Sequence, residues 1–286
     1  MSRRNIEANH LIEQYADYLA KINDALKREL DLYSWSEFHA PLRYACDGGK
    51  RIRPLILVLS TECVSSRKAD ANAYLAASAI ELLHTESIIH DDIIDEEDKR
   101  RGKPSFHIKY GYNSSMLTAD FVLGVILNIG SKLKDPRIIS ELSYAATRMS
   151  EGEMMEIRLG KGQEISEDDY IKVLEYKTAS LFEASAKIGA IIGEGDDDQI
   201  NAMTSFGNLL GIAYQIHDDL TDWNNENRLF NALVRKNGKA EDFIERMEML
   251  YHQYISKAKH EVCKISIESE AKRHLEHLTD LTAVSV

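Results

Sequence analysis

Proline is the residue that most constrains this chain. It occurs only 4 times in 286 residues, at Pro41, Pro54, Pro104 and Pro136. Beyond Pro136 no residue breaks a helix by losing its backbone N–H. Apolar residues recur at helical spacing along the chain, and no stretch shows the period-two alternation of a sheet protein. Leu, Ile, Ala, Glu and Lys, mostly good helix formers, outweigh Val and Thr. The expected fold is all-α. No repeat, low-complexity tract or linker divides the chain, so residues 1–286 read as a single helical domain.

The spacing places the helices. Ile6, Leu11, Ile12, Tyr15, Leu19, Ile22 and Leu26 mark a first amphipathic helix. Asp47-Gly48-Gly49-Lys50 is a turn, and Arg53-Pro54 opens a second helix through Glu62, with proline in the permitted N-terminal turn. About 69–97 reads as one long helix that is apolar on more than one face (Ala76, Ile80, Leu83, Ile89), hence central rather than peripheral. Gly102-Lys103-Pro104 ends that region. Further helical patterns cover about 113–132, 136–159 and 167–192. An acidic loop then leads into 199–223, and shorter patterns near 241–263 and 268–281 close the chain.

Charge and cysteine content exclude several classes. A net charge of −12 argues against nucleic acid as a partner, because phosphate backbones select basic surfaces. A small anionic substrate stays open, since it needs only a local cationic pocket. Cys46, Cys63 and Cys263 imply neither a disulfide framework nor a metal site, so a reducing cytoplasm is the expected compartment. The first ten residues carry no apolar core, so no signal peptide is expected. Nor is any run expected to be long and apolar enough to span a bilayer.

The chemistry concentrates in two aspartate clusters. In His90-Asp91-Asp92-Ile93-Ile94-Asp95, positions i and i+4 share a helix face, so Asp91 and Asp95 project together with Asp92 at the edge. An isolated cluster of this kind is more often a solvated acidic turn. Here the surrounding helix is apolar, and Asp218, Asp219 and Asp222 repeat the spacing after a second apolar stretch. Two such clusters suggest facing carboxylate walls, hard oxygen ligands of the kind Mg²⁺ requires. Cations accompany them. Lys50 and Arg53 flank a Gly-Gly turn, where backbone can approach a ligand closely. Arg100 and Arg101 follow the first cluster; alone they read as surface charges, but beside a carboxylate–metal site guanidinium groups suit bidentate capture of a diphosphate. His84, two turns before Asp91, is by default a core histidine and, at such a site, a donor to a phosphate oxygen. His90 and His217 read as packing groups, and Lys177-Thr178 is weak alone.

Taken in order, these residues resemble the trans-isoprenyl diphosphate synthases. The series is Gly48-Gly49-Lys50-Arg51-Ile52-Arg53-Pro54, Glu81-Leu82-Leu83-His84-Thr85 running into Asp91-Asp92-Ile93-Ile94-Asp95, Arg100-Arg101-Gly102-Lys103-Pro104, Lys177-Thr178, and Gln215 with Asp218-Asp219-Leu220-Thr221-Asp222. The resemblance implies a large antiparallel helix bundle around a central cavity, usually a homodimer, with a heteromer containing a homologous chain as the alternative. It implies that Lys50, Arg53, His84 and Arg101 hold the diphosphate of isopentenyl diphosphate. Arg100, Lys177, Thr178 and Gln215 would hold the allylic diphosphate. Asp91, Asp95 and Asp218 would be the principal ligands of three Mg²⁺ ions, with Asp92, Asp219 and Asp222 close behind. The implied activity is Mg²⁺-dependent head-to-tail condensation to a short- or medium-chain prenyl diphosphate. A weakly active partner subunit is the second reading. A class I terpene cyclase is the third, disfavoured because it needs no clamp at Lys50, Arg53 and His84.

Two features depart from the family pattern. Family members continue after the second cluster with a glycine- and lysine-rich loop that helps close the site. Here Gly238 is the only glycine in residues 223–260, so that loop is expected to be deleted or replaced by helix, with Lys236 or Lys239 as substitutes. Glu86 and Ser87 occupy the positions that floor the hydrocarbon tunnel in the family. A carboxylate there is expected to be paired or to point elsewhere.

Overall fold

The proline-poor stretches are helical throughout the computed structural model, which describes residues 14–160, 165–221, 229–236 and 240–281. The helices run α1 (Ala16–Asp31), α2 (His39–Cys46), α3 (Ile52–Ser65), α4 (Ala71–Ile94), α5 (Phe106–Tyr110), α6 (Tyr112–Lys132) and α7 (Pro136–Gly160). They continue as α8 (Glu167–Leu174), α9 (Ser180–Ile192), α10 (Asp197–Thr221), α11 (Leu229–Lys236), α12 (Ala240–Cys263) and α13 (Glu270–Leu281). A two-stranded hairpin, β1 (Lys99–Arg100) with β2 (Lys103–Pro104), follows α4. Arg101 and Gly102 at its tip both have positive φ, as a two-residue hairpin turn requires.

At the centre, α3 packs on α9, α9 on α10, and α4 on α3 and α6. Leu55, Ile56, Leu57, Val58 and Leu59 of α3 are fully buried, and so are Ala77, Ala79, Ile80 and Leu82 of α4, which accounts for helices apolar on several faces. Asp70 starts α4 by accepting from the N–H groups of Asn72 (2.9 Å) and Ala73 (3.1 Å). The helix stops at Ile94, three residues short of the expected end. Asp95 caps it, its N–H bonded to the Asp91 carbonyl at 2.8 Å, so the i, i+4 relation survives the boundary.

The expected helix at 167–192 is two helices joined by a π-helical turn, Glu175–Ala179. The turn is wedged between two glycines. A Cβ on Gly152 of α7 would stand 2.4 Å from the Lys177 nitrogen, and one on Gly211 of α10 would stand 2.6 Å from the Ala179 Cα. Both neighbouring helices thus approach this turn backbone to backbone, and the wide turn aims Lys177 and Thr178 out of the α8–α9 line.

One expectation is corrected. Helix α6 is, by length and composition, long and apolar enough to cross a bilayer, with a mean hydropathy of 1.4 over its best window. Its apolar residues lie on two faces. Val122, Val125, Ile126 and Ile129 enter the core, while Met116, Leu117, Leu123 and Leu127 are exposed. A core helix with a second apolar face passes the same composition test as a membrane span.

Candidate active site

The first aspartate motif divides by helix face. Asp91 is half-buried and Asp95 exposed, whereas Asp92 is buried on another side. Arg100 of the hairpin reaches Asp92 through Nε at 2.7 Å and Nη2 at 2.5 Å. Arg100 therefore stands over the motif with Asp92 as its counter-ion.

Lys177 faces Asp91 and Asp95 from the π turn. Its ammonium lies 2.5 Å from Glu153 and 2.6 Å from Glu156 of α7. Burial works against its charge, but Glu156, Asp91 and Glu153 hold its pKa above the usual lysine value. Burial pushes the Asp91 carboxyl up to about 7; Lys177 opposes this, while Glu153, Asp95 and Glu156 add to it. Asp95, although more exposed than Asp91, is raised in the same direction, by desolvation of its carboxyl first and with Lys177 opposing. These carboxylates repel one another and share a single lysine. Further positive charge is what such a group accepts most readily.

The second motif lies at the end of α10. Asp218 is half-buried and Asp219 buried. Asp219 accepts from the Tyr170 hydroxyl at 2.7 Å and from Gln215 Nε2 at 3.1 Å. Thr178 donates to Gln215 Oε1 at 3.0 Å, so Thr178, Gln215 and Asp219 form one chain of hydrogen bonds. His217 packs its ring on Tyr251, centroids 5.8 Å apart. Asp222 and Lys239 lie outside the described residues; Lys236 is the last residue of α11.

Arg53 lies within electrostatic reach of both motifs. It is half-buried, with Nε out of solvent and the guanidinium 4.5 Å from the centre of the Phe182 ring, and its Nη1 is 3.2 Å from His84 Nε2. A guanidinium can only donate, so His84 Nε2 is the acceptor and Nδ1 carries the proton. Burial first, then Arg53, Arg101, Arg51 and Arg100, hold the His84 pKa well below its usual value, so the ring is neutral. Burial also disfavours the charge on Arg53, against support from Tyr214, Glu81, Asp218 and Asp91. Lys50 is exposed at the end of the Gly-Gly turn. Arg101 donates to the Asp47 carbonyl at 3.3 Å, with its guanidinium against Gly49. Arg51 turns inward at positive φ to pair with Glu81 and, at 3.0 Å, with Asn23; it braces the turn rather than facing the motifs.

Among the described residues, no three carboxylate, histidine or cysteine groups converge closely enough to hold a metal ion by themselves. The donor set nevertheless suits Mg²⁺, which takes one or two carboxylates and completes its shell with water and phosphate oxygens. The structure also adds residues that sequence reasoning passed over. Glu153 and Glu156 stand one turn apart beside Gly152 on α7, a spacing common on any helix and so no signal by itself. Tyr170 carried none either. Glu86 has a partner: its Oε1 lies 3.2 Å from His90 Nδ1. Burial raises its pKa, the His90 charge opposes, and Asp120 adds to the rise.

An all-helical bundle in which two aspartate motifs stand among half-buried cations has the architecture of the isoprenoid synthases. Comparison with known proteins specifies the family. The polyprenyl synthetase family model matches residues 36–236, and the chain belongs to that family. It is 33% identical over 218 residues to a geranylgeranyl diphosphate synthase of Methanosarcina mazei, covering 74% of this chain and 67% of the relative. It is 34% identical over 260 residues to a geranylfarnesyl diphosphate synthase of the same organism, covering 90% of this chain and 82% of the relative. The fold matches the crystal structure of a decaprenyl diphosphate synthase from Rhodobacter capsulatus with a TM-score of 0.84, at 23% identity over 98% of this chain and 99% of that one. These relatives make products of different length, so family membership leaves the product length open.

Proposed function

We propose that this chain condenses isopentenyl diphosphate with an allylic diphosphate, head to tail, to give a short- or medium-chain prenyl diphosphate. The observation that carries the reading is the position of Arg53, beside neutral His84 and within electrostatic reach of Asp91 and Asp218. Two diphosphates need two cationic clamps near one carboxylate set. Arg53, His84, Lys50 and Arg101 make the clamp for isopentenyl diphosphate; Arg100, Lys177, Thr178 and Gln215 make the clamp for the allylic substrate. Asp91, Asp95 and Asp218 would hold Mg²⁺, three ions in all, which would neutralise charge on the departing diphosphate. The allylic C–O bond breaks with its electron pair leaving on the diphosphate, and Lys177 and Arg100 stabilise that charge in place. The clamp around Arg53 holds the isopentenyl double bond in line to form the new C–C bond. A proton is then lost to the released pyrophosphate, and the apolar helices keep water from the cation.

The test is incubation with Mg²⁺, isopentenyl diphosphate and each allylic diphosphate, with products read by mass spectrometry. A product one or more isoprene units longer is expected; no elongation with any pair overturns the reading. Elongation only with a second homologous chain present would make the protein a partner subunit.

The same reading makes the chain a homodimer. Exposed Met116, Leu117, Leu123 and Leu127 of α6 make an apolar helix surface that a second copy would cover. Leu123→Glu with Leu127→Glu is expected to convert a dimer to a monomer in light scattering, with the helical circular dichroism kept. A wild-type monomer at micromolar concentration would refute this.

A further inference from the structure

Asp219 belongs to the second aspartate motif, yet it is buried and both its oxygens bond to protein. Oδ2 accepts the Tyr170 hydroxyl at 2.7 Å, and Oδ1 accepts Gln215 Nε2 at 3.1 Å. A carboxylate offers no hydrogen, so the Gln215 amide must turn its NH₂ toward Asp219. Its carbonyl oxygen consequently meets the Thr178 hydroxyl at 3.0 Å. One end of this chain is thereby set. Were the amide reversed, it would present an oxygen where the proposed clamp needs a donor, and Thr178 would lose its acceptor.

Tyr170 fixes the carboxylate that fixes the amide. It is 1% exposed, on α8, with its ring 5.8 Å from Phe230 of α11. Phe230 in turn packs on Phe243 of α12 at 5.4 Å. Helix α11 is the first described element after the second motif. The aromatic stack therefore ties the helix standing after that motif to the side chains proposed to meet the allylic diphosphate.

We propose that Tyr170 is a positioning residue for the allylic-diphosphate clamp: its hydroxyl orients Asp219, and through Asp219 it sets the Gln215 amide with N–H toward the anion and carbonyl toward Thr178. This rests on the diphosphate reading given above. It also assigns Asp219 to orienting the clamp rather than to ligating metal.

The experiment compares wild type with Tyr170→Phe, Asp219→Asn, Gln215→Ala and the Tyr170→Phe/Gln215→Ala double variant. Two readouts are taken: calorimetric Kd for inorganic pyrophosphate with Mg²⁺, and steady-state KM for each substrate. Tyr170→Phe keeps the ring and is expected to raise the pyrophosphate Kd and the allylic KM about tenfold, with the isopentenyl diphosphate KM within about twofold. Asp219→Asn should show the same pattern, which covers the case where Tyr170→Phe does not fold. In the Gln215→Ala background, Tyr170→Phe should add less than about twofold, because the route through Gln215 is already gone. An unchanged Kd in Tyr170→Phe, equal losses for both substrates, or full additivity in the double variant each overturns the proposal. If wild type binds pyrophosphate but elongates nothing, the prenyl-transfer reading fails while the Kd comparison still decides the role of Tyr170. If wild type binds no pyrophosphate, both fall.

Discussion

Asp91→Ala is expected to lower prenyl transfer by about 10²- to 10³-fold at saturating Mg²⁺ while leaving the melting temperature at or above that of wild type. The two halves of this expectation come from the same electrostatics. Asp91 lies among Asp95, Glu153 and Glu156, and burial with these like charges disfavours its ionised form. A carboxylate so placed weakens the fold, the usual stability–activity relation if it serves the proposed metal site. Its removal relieves repulsion, and Lys177 keeps Glu153 and Glu156 as counter-ions at 2.5 and 2.6 Å. The charge that Mg²⁺ would stabilise on the leaving diphosphate then loses a principal anchor. Single-turnover kinetics and a thermal melt on one preparation decide it. Near-wild-type turnover removes Asp91 from the reaction. A large drop in melting temperature makes lost activity a folding effect and refutes the electrostatic account.

Helix type and order were legible because the signal is periodic and proline is scarce; the misses have local causes. Helix α2 was passed over because it is short and contains Pro41, which sits in the first turn where its missing N–H has no intrahelical partner. The π turn left no compositional trace: Glu175–Ala179 are ordinary helix residues, and the extra residue in the turn comes with the approach of Gly152 and Gly211 from two other helices. The aspartate motifs were legible to the level of which carboxylates share a face. The spacing set Asp92 apart from Asp91 and Asp95, and Asp92 indeed turns to Arg100. That Asp219 is taken up by Tyr170 and Gln215 could not be read, because the tyrosine stands 49 residues earlier on another helix. Glu153 and Glu156 were missed for the same reason. Two glutamates one turn apart are common on any helix, and only the tertiary placement of Lys177 gives them a role.

Arg53→Ala is expected to raise the KM for isopentenyl diphosphate by ~30-fold or more, with the allylic KM changed only a few-fold. The basis is the condition of the guanidinium. Its Nε is buried without a hydrogen-bond partner, and Nη1 meets a neutral imidazole rather than a carboxylate. Aspartates support its charge only at a distance, so an arriving diphosphate would meet a cation that is desolvated and not yet paired. Removing one partner of such a contact costs roughly 2–5 kcal/mol. The allylic substrate should escape most of this loss because its proposed clamp, Lys177 and Arg100, holds its own counter-ions in Glu153, Glu156 and Asp92. Arg53→Lys separates charge from shape. A lysine restores the charge but not the planar fork or its stacking on Phe182, so it should recover only part of the affinity. Full recovery would make Arg53 a point charge. Equal losses for both substrates would place it between the diphosphates, and a larger loss for the allylic substrate would exchange the two clamps.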